Sequence, residues 1–159
     1  MKALRILYTL VVLFIFGSTT AQNKTEKTHT SIETLLNSKN FEFIANTALP
    51  LGQPPKNLVG SNYSITFSPE MVISNMPFYG RSYATIIGKD KGLRFKGVPE
   101  DFIVEKRGKN YEVRTKVKNE NDTYSLLLIV GNSGYATLSI TTNDRQAIDF
   151  QGEVVSVRD

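Results

Sequence analysis

The sequence predicts a mostly β domain, an antiparallel meander forming a sandwich or an open barrel, with one short N-terminal helix. Three observations carry that reading. Tyr111, Val113, Thr115 and Val117 alternate with Glu112, Arg114, Lys116 and Lys118, the period-two signature of a strand with one wet face. Clusters of Gly, Asn and Asp recur between such segments and tolerate the positive φ values that tight hairpin loops demand. Leu126-Leu127-Leu128-Ile129-Val130 is apolar on both faces, which predicts a central strand covered on each side.

The elements follow in order. Lys2 and Arg5 form a basic start, Ile6 to Phe16 is an apolar run broken only by Thr9, and Gly17 to Ala21 supplies small residues. That layout predicts a cleavable export signal, with Thr19 and Ala21 at the small positions before a cut at Gln22. The run is shorter than the roughly 20 residues that span a bilayer core, so no stable anchor is expected after cleavage. Gln22 to Thr30 is polar and aperiodic and reads as a disordered lead-in. Thr30-Ser31-Ile32-Glu33 resembles a capping box, and Ile32, Leu35 and Leu36 follow at helical spacing. The predicted helix, Ser31 to Lys39, is too short to stand alone and is expected to pack on the sheet.

From Phe41 the period changes to two, and Tyr63, Ile65 and Phe67 alternate with Ser64 and Thr66. Leu51 to Gly60 is the longest irregular loop, and Pro54-Pro55 place it outside the sheet because proline donates nothing to a ladder. Gly108-Lys109-Asn110 separates a strand at Phe102–Lys106 from the one at Tyr111–Lys118. Asn119 to Asp122, Gly131 to Gly134 and Asn143-Asp144 are the later turns, and Tyr135–Thr142 and Ala147–Val157 the last strands. Residues 31–159 read as a single domain without internal repeats.

Composition excludes several classes. Removing 21 of 159 residues leaves 138, enough for one core. There is no cysteine, hence no disulfide, no thiol nucleophile and no lipidated cysteine. A cysteine-free exported domain suits a bacterial periplasm. Lys2 and Arg5 leave with the signal, so 19 basic residues become 17 against 15 acidic ones, too even a balance for a nucleic-acid binder.

Three segments carry a resemblance: Phe41-Glu42-Phe43 to Ala48-Leu49-Pro50, Met76-Pro77-Phe78-Tyr79-Gly80-Arg81-Ser82-Tyr83, and Gly134-Tyr135-Ala136-Thr137-Leu138-Ser139-Ile140 through Asn143-Asp144-Arg145-Gln146 to Phe150-Gln151-Gly152. Their order and spacing resemble the family called domain of unknown function 4251, found in exported proteins of Bacteroidota-type bacteria. The resemblance spans about residues 33 to 155 and implies an exported single domain. It implies no catalytic or binding residue.

The best candidate site is the Pro77–Tyr83 segment. Pro77 removes a ladder donor and Gly80 permits unusual backbone, so an interrupted or bulged strand is expected. Phe78, Tyr79, Arg81 and Tyr83 would then make an aromatic rim with one cation. The competing expectation puts Phe78 and Tyr83 in the core and pairs Arg81 with a carboxylate. Asn143-Asp144-Arg145-Gln146 reads first as a turn with Arg145 reaching Asp149, and second as an anion clamp. His29, the one histidine, falls in the lead-in, so no Ser-His-Asp, Cys-His or typical zinc site is expected in the folded body. Glu100-Asp101 and Asp144 with Asp149 are the nearest acidic pairs, and neighbours on a strand point to opposite faces. Gly88-Lys89-Asp90-Lys91-Gly92 lacks the spacing of a phosphate loop and reads as a turn.

The sequence therefore predicts a non-catalytic periplasmic binding or accessory module for a small apolar or amphipathic ligand or an envelope peptide. It predicts no cofactor and no metal. A structural interaction domain without a ligand cavity is the second expectation, and a hydrolase using carboxylates alone the third.

Overall fold

The structure is a computed structural model that describes residues 32–83, 92–119 and 122–157. The predicted signal, the lead-in, His29, Thr30 and most of the Gly88–Gly92 turn lie outside those residues. A helix, α1, covers residues 32–37. Ten strands follow: β1 Phe41–Pro50, β2 Lys56–Asn57, β3 Ser64–Phe67, β4 Val72–Met76, β5 Leu93–Gly97, β6 Pro99–Arg107, β7 Asn110–Asn119, β8 Asp122–Val130, β9 Tyr135–Thr141 and β10 Ile148–Val155.

All pairings are antiparallel, in the order β5-β4-β3-β1-β10-β9-β8-β7-β6, with β2 attached to β1. β5 and β6 stand at opposite ends of that order, yet only Val98 separates them in the chain. The two ends must therefore meet. β5 and β6 are two halves of one bent strand, and the sheet curls into a nearly closed barrel. A Cβ on Gly97 would lie 2.6 Å from the Lys118 carbonyl oxygen, so the bend brings the chain against the end of β7. With β2 off the path and β5 and β6 merged, the ten strands make eight around the barrel. At that size an interior is just wide enough for side chains to fill it.

One face of every long strand points inward. Phe41, Phe43, Ile65, Phe67, Leu128, Leu138 and Phe150 are fully buried there. Phe41 stacks on Phe67 with ring centroids 4.9 Å apart, and Phe102 meets Phe41 edge-on at 6.4 Å. α1 closes one end of the barrel. Ile32 and Leu36 are buried against it, the Tyr111 hydroxyl donates to Glu33 at 2.8 Å, and Lys39 Nζ donates to the Phe102 carbonyl at 2.6 Å. Tying the helix to β7 and the turn after it to β6 offsets the poor stability of so few turns.

Several sequence expectations need correction. β8 is central, but only its inner face is covered. Leu127 is half-buried and Ile129 is 41% exposed on the outer face. In a curled sheet a strand has one interior, so an apolar outer face must be sought elsewhere than in the core. The Leu51–Gly60 loop does carry Pro54-Pro55 outside the sheet, but Lys56–Asn57 returns to pair with Thr47 and Ala48. Of the interrupted or bulged strand expected at Pro77, the structure shows the interruption, because β4 ends at Met76. Register breaks occur instead between Ala45 and Thr47 and between Glu100 and Ile103. The second break, where Asp101 has φ 52°, leaves Glu100 and Asp101 both exposed, contrary to strict alternation.

Candidate functional site

The mouth opposite α1 gathers the two segments that the sequence offered separately. Ser82 bridges Arg145 in antiparallel fashion, Tyr83 N–H donates to the Asp144 carbonyl at 2.8 Å, and Gln146 N–H donates to the Arg81 carbonyl at 3.0 Å. Phe78 and Tyr79 are half-buried and pack on the core, whereas Arg81 is exposed and Tyr83 is 70% exposed. Two of the four residues thus pack on the core and two face solvent. Tyr83 is not core, contrary to the competing expectation, and Arg81 forms no ion pair among the described residues.

Arg145 is the buried cation of the mouth. It is 8% exposed, donates Nη1 to the Gly92 carbonyl at 2.6 Å, and lies 5.2 Å from the Phe78 ring centroid. The expected reach to Asp149 does not occur, because Asp149 points outward from β10. Instead the guanidinium spans from the β9–β10 turn to the start of β5, where a planar, weakly hydrated cation is tolerated against an aromatic face.

Beside it Tyr124 stacks on Phe95 with ring centroids 3.9 Å apart and 16° between planes. Burial, then the charge and hydrogen bond of Asp122, with Asp144 adding, push the Tyr124 hydroxyl up to about 12, while Arg145 pulls it back. Tyr111 is raised too, by burial first and then by its hydrogen bond to Glu33. The folded state thus holds these two phenolic protons above the ordinary value of 10.0. The stability that this contributes is complete below pH 10 and is lost as pH rises toward about 12. Alkaline melting should therefore decline over that window, and Tyr124→Phe should flatten the decline without abolishing it, since Tyr111 contributes in the same direction. Denaturation midpoints from pH 9 to 12 measure this; an unchanged slope in Tyr124→Phe would contradict it.

Two hollows open on the outside of the barrel and adjoin along β8. One, of about 530 Å³, is lined by Ile103, Leu126 and Leu127, with Arg114, Lys116, Ser125 and Ser139 among the polar residues around them. Arg114 is engaged by Glu105 at 2.9 Å and Glu112 at 3.2 Å, whereas Lys116 is exposed and has no ion-pair partner among the described residues. The other hollow, of about 450 Å³, is lined by Asn46, Thr47, Asn110, Ile129, Tyr135, Thr137 and Gln151 together with backbone of Gly131, Ala136 and Gly152. Among the described residues, none lining this second hollow is charged.

The second hollow depends on the first register break. Asn46 is an extra residue between Ala45, opposite Gly152, and Thr47, opposite Gln151. The bulge turns both Asn46 and Thr47 away from the interior. Its carbonyl is used by Leu58 N–H at 2.9 Å, and Leu58 is buried, so the irregular loop braces the bulge. A Cβ on residue 152 would collide with the Ile44 carbonyl, which is why a glycine stands opposite. Sequence reasoning missed this site because Asn46 carries no proline or glycine beside it; Gly152 in mid-strand was the one available signal.

A family model for DUF4251, described as a domain of unknown function, matches residues 23–154. The chain belongs to this family. A DUF4251 family protein from Bacteroides eggerthii DSM 20697, known from its crystal structure, shares the fold with a TM-score of 0.63. The match is 12% identical and covers 81% of this chain and 87% of that one. No curated protein matches the chain. Membership of DUF4251 confirms the resemblance read from the three sequence segments and assigns no activity to any residue.

Proposed function

We propose that this DUF4251 domain is a non-catalytic, exported binding module that takes its ligand on the outer face of β7–β10. The observation that carries this reading is the uncovered apolar stripe of β8. Leu127 and Ile129 sit two residues apart on the outer face, at the meeting of the two hollows. An apolar pair at the centre of an otherwise polar sheet face is what an amphipathic ligand needs, with hydroxyls and amides at hand to orient it. The non-catalytic part is supported by chemistry: the chain has no cysteine, and its one histidine is His29. The Pro77–Tyr83 segment is the rival location. Arg145 already covers the Phe78 ring, which favours the outer face.

Chemical-shift mapping of the isotopically labelled protein against lipid, peptide and glycan fractions of the cell envelope tests the location. Saturable shifts are expected at Leu127, Ile129 and Thr137. Shifts confined to Phe78, Tyr79, Arg81 and Tyr83 would move the site to the mouth. Ile129→Lys should abolish the outer-face shifts while costing at most about 1 kcal/mol of stability, because Glu112 stands opposite it across the ladder. Arg81→Ala should change neither.

A further inference from the structure

We infer that the neutral hollow around Tyr135 is a saccharide-binding site, one that accepts an uncharged polyhydroxylated chain. This rests on the outer-face reading and names its ligand. Tyr135 is 68% exposed, a ring held at the start of β9 with its face free for contact. Around it Asn46, Asn110 and Gln151 present three side-chain amides, and Thr47 and Thr137 two hydroxyls. None of the three amide groups is engaged by another side chain or by backbone among the described residues.

The donor set points to sugar rather than to other ligands. Each amide offers donor and acceptor atoms together, the pair that neighbouring hydroxyls on a sugar ring can satisfy at once. An aromatic face carries partial negative charge and receives the C–H face of a pyranose. A phosphate or carboxylate ligand would find no cation in this lining. An extended peptide gains its affinity by adding to a free sheet edge, and β1, β10, β9, β8 and β7 are all paired on both sides. An acyl chain would find Ile129 alone as an apolar side chain of any size. Glu153, the cross-strand neighbour of Tyr135, adds a carboxylate acceptor at the rim, which hydroxyls also satisfy.

The geometry is built rather than incidental. The bulge that aims Asn46 outward costs the β1–β10 ladder one residue of pairing, and it is held by the Leu58 contact and by the absence of a side chain at Gly152. A volume of about 450 Å³ lies within the range of small-molecule sites.

The test titrates the labelled full-length protein with cellohexaose, xylohexaose, maltohexaose, mannohexaose and chitohexaose, following the side-chain amide and Tyr135 ring signals. At least one sugar should produce saturable shifts at Asn46, Asn110, Gln151 and Tyr135. Tyr135→Ala should weaken that binding by about tenfold or more, and Tyr135→Phe should retain it within a few-fold, because stacking survives loss of the hydroxyl. Both variants should melt with the parent, since the ring is exposed. Absence of saturable shifts with all five sugars overturns the inference, as does a Tyr135→Ala variant that binds unchanged. If the sugars fail while a lipid or peptide fraction still shifts Leu127 and Ile129, the saccharide assignment falls and the outer-face module stands. If every shift falls at the mouth, both fall.

Discussion

Gly152→Ala is expected to be among the most damaging single substitutions in this domain, although it adds one methyl group. The new Cβ would overlap the Ile44 carbonyl oxygen and come within 3.0 Å of the Phe43 ring. Neither can yield cheaply: the carbonyl belongs to the strand that carries the bulge, and Phe43 is fully buried. Overpacking against fixed backbone costs about 3 kcal/mol, a large share of the roughly 5–15 kcal/mol that holds a domain together. Gly108→Ala is the control. Gly108 has φ +63° with nothing near its missing Cβ, so its cost is the left-handed strain alone, about 1–2 kcal/mol. Urea denaturation of the two variants should place the Gly152 midpoint well below the Gly108 one. Equal losses would mean that the β1–β10 seam can relax around a methyl group, and the bulge would then be a weak device for presenting Asn46.

Much of the fold was legible because the barrel is built from local rules. Tyr111 to Lys118 alternates, Gly108 turns, and β6 and β7 form the hairpin that those facts imply, with a loop of Gly108 and Lys109. Closure was not legible. It depends on β5 running through Val98 into β6; Gly97 and Pro99 flank that point, but such a pair marks a turn as readily as a bend and does not announce that one strand will serve both ends of a sheet. The same blindness produced the error at β8. A run such as Leu126–Val130 records that both faces avoid charge, but not whether the second face meets protein or awaits a ligand.

The candidate site divides along the same line. Pro77 and Gly80 were strong local signals and did mark the end of β4, yet strand termination was all that they encoded. Asn46 and Asp101, where the ladders do shift, have ordinary sequence neighbours, because a bulge is decided by the register on both sides of it. Tyr135 was read as the start of a strand, which it is. Its exposure follows from strand phase combined with curvature, and curvature appears only once the sheet is assembled.

Removal of Arg145 is the other large effect expected here. Arg145→Ala withdraws a donor 2.6 Å from the Gly92 carbonyl, uncovers the Phe78 ring, and takes a buried cation from beside Tyr124, Asp122 and Asp144. A charge-assisted hydrogen bond is worth about 1.5–3 kcal/mol and a partly desolvated cation–π contact about 1–2 kcal/mol, so a loss near 3 kcal/mol is expected. Arg145→Lys should recover only part of it, because an ammonium cannot lie flat on Phe78 while reaching the carbonyl. Arg81→Ala, one residue from the Ser82 that bridges Arg145 but exposed, should stay within about 0.5 kcal/mol of the parent. That contrast would establish Arg145 as the clasp that fastens the Pro77–Tyr83 segment to the β9–β10 turn. A different result carries equal information. If Arg145→Ala melts with the parent, the buried guanidinium contributes nothing to the fold and the clasp assignment falls.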